Sequence, residues 1–525
     1  MTSEKLLKDN GRHLIALQLD MFAHRIWLVA ISGLTFFMLY FVVPLVVLMH
    51  TRNIQLIQQD KWIHTTLLNE ALALYGTGAE WNSIAVFILA IMFAFSGFAF
   101  LYKMRSLDFY ESEPFTRGQR YLMILANNML IFLPVLVVST VVGVFITLIF
   151  GGIRLIVYFE ILLQMIRLAF LFFAVSGVAT LAAVLSGNIV IAILLMGFLT
   201  FVELFVRLLF TGCAETYFTT INSTFDMFGF FGGITSPIIY DAVNFTGTSY
   251  AYSGTPTSVQ LPVYLGMLPH LIVLVIIGAA AFAGGYFVYE FRKLEHTGRG
   301  LCYPFAESVV KIVIAILVGL STGLVTDLVM ETQFVNASFV FLLLVVLSVA
   351  LTCTIGEIIF AKSLHAFKKR AWQIPACIAF CFVLLFCFKL DAFGYDKYVP
   401  KASEVESAAL TCGQMYYDEG LSSDGPMGLF GESDLFFDYG SLLNRMELQG
   451  PQVEALCEIA KTAMKKQRQI ATASRDYDYY TGGANYEVYD VSVLYRLKNG
   501  RKVTRHMAIP YEIDESLMNT VVDSA

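Results

Sequence analysis

The chain has 525 residues, of which 57% are hydrophobic and 14% charged, whereas soluble domains carry roughly 25% charged residues. The apolar residues gather into blocks about twenty residues long, the length that crosses a bilayer, which excludes a soluble enzyme, a disordered protein and a nucleic-acid binder. The net charge of -6 is uneven: residues 391–525 hold 13 Lys+Arg and 21 Asp+Glu, a net of -8, which leaves +2 for the first 390.

The expected fold is a polytopic α-helical membrane protein of about nine transmembrane helices, followed by a soluble α+β domain. Met1 to Arg25 is charged and runs directly into an apolar segment, so that segment is read as a retained anchor and not a cleaved leader. The pattern predicts helices near 26–48, 82–102, 122–150, 168–186, 189–211, 265–289, 308–328, 338–361 and 374–390. The third is long enough to tilt. Residues 153–167, with Arg154, Glu160, Gln164 and Arg167 among Leu, Ile and Phe, are read as a separate interfacial or partly buried helix. Ser186-Gly187-Asn188 is a tight turn between the fourth and fifth helices.

Sidedness follows from Lys and Arg in the short connections. Segments 1–25, 103–121, 290–307 and 362–373 hold four, four, three and four of them; segments 49–81 and 151–167 hold two each, and 212–264 holds none. The N-terminus is therefore expected inside, and nine spans put the C-terminus outside. This divides the chain into a membrane domain, 1–390, and an extracytoplasmic domain, 391–525.

In that last domain Pro451–Ile470 has a helical pattern, with Val453, Leu456, Cys457, Ile459 and Ala460 on one face. Residues 486–493 alternate in the manner of a strand. Lys498-Asn499-Gly500 precedes a second such run, Val503 to Ile509, and predicts a hairpin. Cys412 and Cys457, the two cysteines of this polar tail, are candidates to pair in an oxidising space. Cys213, Cys302, Cys353, Cys377, Cys381 and Cys387 lie in or beside apolar segments and read as small hydrophobes. No metal site is expected.

Motifs for nucleotide or metal chemistry are missing from the sequence. It has no Walker A loop and no Gly-Lys dipeptide, and no His-Glu-x-x-His string. Gly319-Leu320-Ser321-Thr322-Gly323 has the form of a nucleophile elbow, but lies inside a predicted membrane helix. It reads as small residues that let helices approach, with an intramembrane serine hydrolase as the remote alternative. Glu203 and Arg207, four apart in the fifth helix, share a face and are positioned to pair. They form either a helix-locking pair or part of a translocation path or dimer interface. Arg167, Gln164 and Glu160 make a similar strip.

The first cytoplasmic loop, Lys103-Met104-Arg105-Ser106-Leu107-Asp108-Phe109-Tyr110-Glu111-Ser112-Glu113-Pro114-Phe115-Thr116-Arg117, is short and places exposed Leu107, Phe109, Tyr110 and Phe115 among charges, as a segment does that docks into a partner's groove. It resembles the loop after the second helix of type-2 ABC-transporter permeases of Gram-positive bacteria, in Arg105, Ser106, Asp108, Tyr110, Ser112, Pro114 and Arg117. Glu113 and Thr116 depart from that pattern. Arg292-Lys293-Leu294-Glu295-His296-Thr297-Gly298 resembles a second segment of the family. Gly394 to Pro400 and Tyr495 to Arg501 resemble its accessory C-terminal domain.

The resemblance implies a permease subunit that is not itself an enzyme and holds no cofactor. ATP and Mg would sit on a separate cytoplasmic ATPase, and a second copy or paralogue would complete the assembly in a bacterial cell membrane. It also implies that Arg105, Asp108, Tyr110, Ser112, Pro114 and Arg117 couple to the ATPase. Glu290, Arg292, Glu295 and Gly298 would form a second contact or gate. The expected function is export of an amphipathic, lipid-like or peptide substrate. The alternative is a complex that transmits ATPase motion to the outer domain, for sensing or resisting antimicrobial peptides, and moves no solute.

Overall fold

The computed structural model describes residues 22–58, 63–76, 79–112, 116–150, 155–221, 233–245, 261–293, 298, 300–330, 337–361, 370–396, 398–412, 447–475 and 488–510. The chain forms two compact units. One comprises Met1–Val206, Phe228–Val313 and Thr354–Arg370; the other comprises Arg207–Met227, Ile314–Cys353 and Ala371–Ala525.

The helices, in chain order, are α1 (Ile26–Phe37), α2 (Val43–Gln58), α3 (Ile63–Tyr75), α4 (Glu80–Phe98), α5 (Met104–Glu111), α6 (Arg117–Ile149), α7 (Leu155–Leu185), α8 (Ile189–Tyr217), α9 (Pro237–Phe245), α10 (Leu261–Phe291), α11 (Pro304–Met330), α12 (Ala337–Ala361) and α13 (Gln373–Lys389). Strand β1 (Val405–Cys412), helix α14 (Pro451–Arg475), and strands β2 (Val488–Leu497) and β3 (Lys502–Pro510) follow. Among the described residues eight helical stretches are long and apolar enough to span a membrane: Ile26–Ile54, Glu70–Tyr102, Arg117–Ile149, Tyr158–Leu185, Ile189–Tyr217, Gly266–Phe291, Pro304–Val329 and Phe339–Ala361. Gln373–Lys389 is apolar but shorter, 17 residues, or about 25 Å of helix.

In the first unit α7 is the central helix. It crosses α10 where both are small: a methyl on Gly177 would stand 2.8 Å from the Gly278 carbonyl oxygen, and one on Gly278 2.6 Å from the Phe173 ring. Aromatic rings fill the space beyond. Phe132 of α6 stacks on Phe172 of α7 at 3.7 Å, and Phe93 of α4 meets Phe172 edge-on at 5.4 Å. Between α1 and α2 the helix widens into a π-helical turn, Met38–Val42, just before Pro44. A proline has no N–H and crowds the carbonyl four residues back. That carbonyl, of Tyr40, is freed and accepts the Tyr75 hydroxyl of α3 at 3.0 Å.

The structure departs from the sequence expectations at several elements. Residues 155–167 do not form their own helix; they are the start of α7, a single 31-residue helix, since nothing between 155 and 185 breaks it. The connection 49–81, expected as a loop, holds the end of α2 and all of α3, and the expected outer loop holds α9.

The second unit contains the closing turns of α8, most of α11 and α12, α13, and the tail. The string Gly319–Gly323 is a packing face: a methyl on Gly319 would stand 2.5 Å from Val349 Cγ2 and 2.9 Å from Cys381 Sγ, and one on Gly323 2.9 Å from Leu385. Three helices, α11, α12 and α13, therefore meet at van der Waals distance, with Cys381 as a small hydrophobe. The tail is a three-stranded antiparallel sheet, order β1-β2-β3, against which α14 buries Val453, Leu456, Cys457, Ile459 and Ala460. The predicted hairpin closes at Lys498–Arg501, where the positive φ of Gly500, 79°, suits a residue without Cβ. Strand β1 is the element the alternation misses, because Ser407, Ala408 and Ala409 are too small to mark a face. Cys457 is a buried free thiol, and burial raises its pKa; the side chain of Cys412 lies outside the described residues.

Candidate functional site

At one end of the first unit the connection between α4 and α6 folds into α5, an eight-residue helix. Its inward face is fixed. Leu107 is buried, and Ser106 Oγ donates to the Phe100 carbonyl at 3.1 Å and the Lys103 carbonyl at 2.9 Å. The Tyr110 ring lies 4.6 Å from that of Phe100. Arg120 of α6 donates through its guanidinium to the Tyr110 carbonyl, satisfying a C-terminal carbonyl that a helix leaves open. The outward face carries Arg105 and Asp108, both exposed. Ser112 is exposed as well, Pro114 lies outside the described residues, and Thr116 begins α6 with a capping box. There Gln119 N–H donates to Thr116 Oγ1 at 3.2 Å and Thr116 N–H to Gln119 Oε1 at 3.1 Å.

The second predicted segment joins the same cluster. Arg117 donates to the Arg292 carbonyl at 2.8 Å, and its longer bond reaches the Glu290 carbonyl at 3.5 Å. Arg292 is buried and donates to the carbonyls of Val184 at 2.7 Å and Leu101 at 3.4 Å. Its guanidinium thus ties the ends of α7, α10 and the α4–α5 corner to one point. The tight turn at Gly187 is clasped from the 298–302 segment: Gly298 N–H donates to the Gly187 carbonyl at 2.8 Å, Gly187 N–H to the Gly300 carbonyl at 3.1 Å, and Cys302 N–H to the Leu185 carbonyl at 2.8 Å. Glu290 is exposed, and Glu295 lies outside the described residues. Residues 105–112, Arg117, the 186–188 turn, Glu290, Arg292 and 300–302 therefore share one end of the bundle.

The opposite end of this unit holds a buried polar cluster. Arg167 Nε donates to Asp241 Oδ1 at 2.7 Å and Nη2 to Oδ2 at 2.6 Å, with both side chains fully buried. Arg167 also donates to Ser83 Oγ at 3.1 Å and Gln164 Oε1 at 3.3 Å, and the Phe245 ring lies 5.0 Å away. Glu160, farther along the same strip of α7, is buried. Asp241 sits on α9, whose Tyr240 hydroxyl is 2.8 Å from His270 Nδ1. The approach to α9 is held by Glu203. Its carboxylate accepts from Gly233 N–H at 2.8 Å, Thr235 N–H at 2.7 Å and Thr235 Oγ1 at 2.9 Å. Two carboxylates thus fasten α9 to the bundle. Arg207 follows Glu203 one turn later on α8 and belongs to the residues of the second unit. A further buried pair, Lys311 with Glu357, joins α11 to α12.

In the second unit the sheet is fastened to the end of α8. Asp396 accepts four hydrogen bonds, from the N–H and Oγ1 of Thr219 (3.1 and 3.2 Å) and of Thr220 (3.2 and 2.9 Å). The Thr220 carbonyl accepts from His506 N–H of β3 at 2.9 Å. The Arg505 guanidinium lies 3.8 Å from the centre of the Tyr395 ring, which itself stacks on Phe218 at 4.9 Å. Burial lowers the pKa of Arg505, while Tyr395 and Asp396 oppose the shift. Ser321 Oγ donates to the Val318 carbonyl of its own helix at 2.9 Å.

Sequence reasoning missed Asp241, Arg120 and Asp396 as partners of buried groups. Asp241 carried the one available signal, a carboxylate in an apolar stretch, Ile238 to Phe245, of a connection free of Lys and Arg. No group of three or more His, Cys, Asp or Glu placed to hold a metal occurs among the described residues. No protein-family profile matches the chain, no characterised protein matches its sequence, and no solved structure matches its fold.

Proposed function

We propose that this chain is the membrane subunit of an ATP-driven transporter of the ABC type, worked by a separate cytoplasmic ATPase through α5. The observation that supports the reading is the two-faced construction of α5. Its inner side is pinned at Ser106, Leu107 and Tyr110, while Arg105 and Asp108 face outward as charged groups available to a partner. A lever needs both properties: a face that a partner grips, and a body fixed rigidly to what must move. Arg117 and Arg292 extend the rigid body to α6, α7 and α10, so a push on α5 is delivered to several helices at once. In this reading Arg105, Asp108, Tyr110, Ser112, Pro114 and Arg117 couple to the ATPase, and Glu290, Arg292, Glu295 and Gly298 form the inner gate. ATP and Mg reside on the partner, and this chain carries out no catalysis.

Its setting is a bacterial cell membrane, with nine crossings in which Gln373–Lys389 is the last. The N-terminus is cytoplasmic, the tail extracytoplasmic, and a second copy or paralogue completes the assembly. The cargo is an amphipathic, lipid-like or peptide molecule, in keeping with the apolar, aromatic-rich bundle. A second reading, transmission of ATPase motion to the tail without transport, draws on the Asp396 and Arg505 fastening of the sheet to α8. Deleting 400–525 separates the two: transport persists if the chain is an exporter and all output is lost if it is a transmitter. The coupling assignment is tested by Asp108→Lys with Tyr110→Ala; unchanged ATPase binding and unchanged coupled hydrolysis in that double variant would refute it.

A further inference from the structure

Arg25, Asn127 and Asn128 leave an unusual amount of buried hydrogen-bonding capacity unused in the first unit. Arg25, immediately before α1, is 7% exposed. Its Nη2 donates to the Phe93 carbonyl at 2.7 Å, while Nε and Nη1 have no hydrogen-bond partner among the described residues. Asn127 and Asn128 of α6 are 0% and 1% exposed, and all four of their amide atoms are equally without partners. Polar groups are rarely left so in a protein interior, and least of all in hydrocarbon.

These groups share one stretch of a helix seam. Ile124, Asn128 and Phe132 recur every four residues and so lie on one stripe of α6, and that stripe faces α4. A methyl on Gly97 would stand 2.5 Å from Ile124 Cγ2 and 3.5 Å from Arg25 Nη2, and the Phe132 and Phe93 rings are 6.4 Å apart. Asn128 therefore falls between contacts that bracket Arg25, and Asn127 adjoins it. By helical rise Asn128 is about 16 Å from Arg117, and Phe93, with the 3-10 turn Ala99–Tyr102 between, about 15 Å from Tyr102, well inside the bundle from the α5 end.

The unused capacity has a sign. Arg25 Nε and Nη1 carry three hydrogens and the two amides four more, against two amide oxygens. The one formal charge is positive, and no ion pair among the described residues includes Arg25. We propose that Arg25, Asn127 and Asn128 form an intramembrane binding site for an anionic, oxygen-rich group of the phosphate class, presented by a lipid headgroup drawn into the bundle or by a free anion. A guanidinium fork flanked by amide donors matches such a group in charge and in hydrogen bonds. The proposal does not depend on the ATPase reading.

The test uses the full chain in nanodiscs of phosphatidylcholine, either with increasing phosphatidylglycerol or with inorganic phosphate added. The expected result is a saturable rise in melting temperature with one probe. Saturation by the lipid identifies a headgroup as the source, and saturation by inorganic phosphate identifies a free anion. Asn128→Asp supplies an anion from within the chain, so it should melt above wild type in pure phosphatidylcholine and lose at least nine-tenths of the response to either probe. Arg25→Gln should lose the response to the same extent. The proposal is overturned if neither probe raises the wild-type melting temperature, or if Asn128→Asp keeps the full response, which would assign the effect to the basic surface loops.

Discussion

Replacing Asp241 by Ala is the sharpest test of how the Arg167 cluster is held. The substitution removes the bidentate partner of Arg167 but leaves the guanidinium where it is, fully buried, with Ser83 and Gln164 as its remaining described hydrogen-bond partners. Breaking a buried ion pair on one side costs about 3–5 kcal/mol, since the surviving charge stays out of water. That is a large part of a typical total of about 5–15 kcal/mol. Replacing both residues with apolar side chains of similar volume, Arg167→Met with Asp241→Leu, removes charge and partner together and should fall near wild type or above it. Thermal unfolding of the purified protein in mild detergent, run on Arg167→Ala, Asp241→Ala and the double alanine variant, gives the coupling energy directly. Limited proteolysis between 233 and 245 should report release of α9 in the single variants. An Asp241→Ala protein within about 1 kcal/mol of wild type, or a coupling energy near zero, would refute the claim that this pair fastens α9.

Gly319→Val should destabilise the protein by about 1–3 kcal/mol, because its Cβ meets Val349 and Cys381 well inside contact distance; Ser321→Ala should stay within about 0.5 kcal/mol in the same melts, and loss of an activity on that change would revive the serine-hydrolase alternative. Lys311→Ala, which strands the buried Glu357 carboxylate, should be rescued by adding Glu357→Leu; a double variant no more stable than the single would contradict the pairing. Asp396→Ala removes the acceptor of four hydrogen bonds and should cost about 2–4 kcal/mol, read as loss of protection of the Thr219 and Thr220 amides in hydrogen exchange. Burial raises the Cys457 and Tyr495 pKa values, so both groups are held neutral when folded. The stability they add is complete below their unfolded values and is lost as pH rises through the folded ones. Maleimide labelling of Cys457 at neutral pH should accordingly be slow until the tail unfolds, and fast labelling in the folded state would contradict its burial.

The apolar spans were legible because twenty consecutive hydrophobic residues state their environment without reference to any partner. The same holds for α14 and the β2–β3 hairpin, where the faces of Val453, Leu456 and Ile459 and the Asn499-Gly500 turn repeat at their own periods. What the sequence hid depends on pairing across long separations. Nothing local to Asp241 says that Arg167, 74 residues earlier, will meet it, and Asp396 looks like any tail carboxylate until Thr219 and Thr220 are placed beside it. The merging of 155–167 into α7 was hidden for another reason: the charged strip suggested an interface, whereas the structure buries Glu160, Gln164 and Arg167 and pairs Arg167 with Asp241 of α9. In α5 the sequence suggested Leu107 and Tyr110 as exposed knobs for a partner, whereas Leu107 is buried and Tyr110 packs inward on Phe100; the anchoring by Arg120 came from beyond the motif.

The account turns on whether a cytoplasmic ATPase engages α5. Gentle purification of the tagged chain from its native membrane, with identification of what accompanies it, tests that directly. The account predicts a stoichiometric protein carrying a Walker A sequence, lost when Asp108→Lys and Tyr110→Ala are introduced together. Recovery of the chain with no such protein, even after chemical cross-linking, would contradict it.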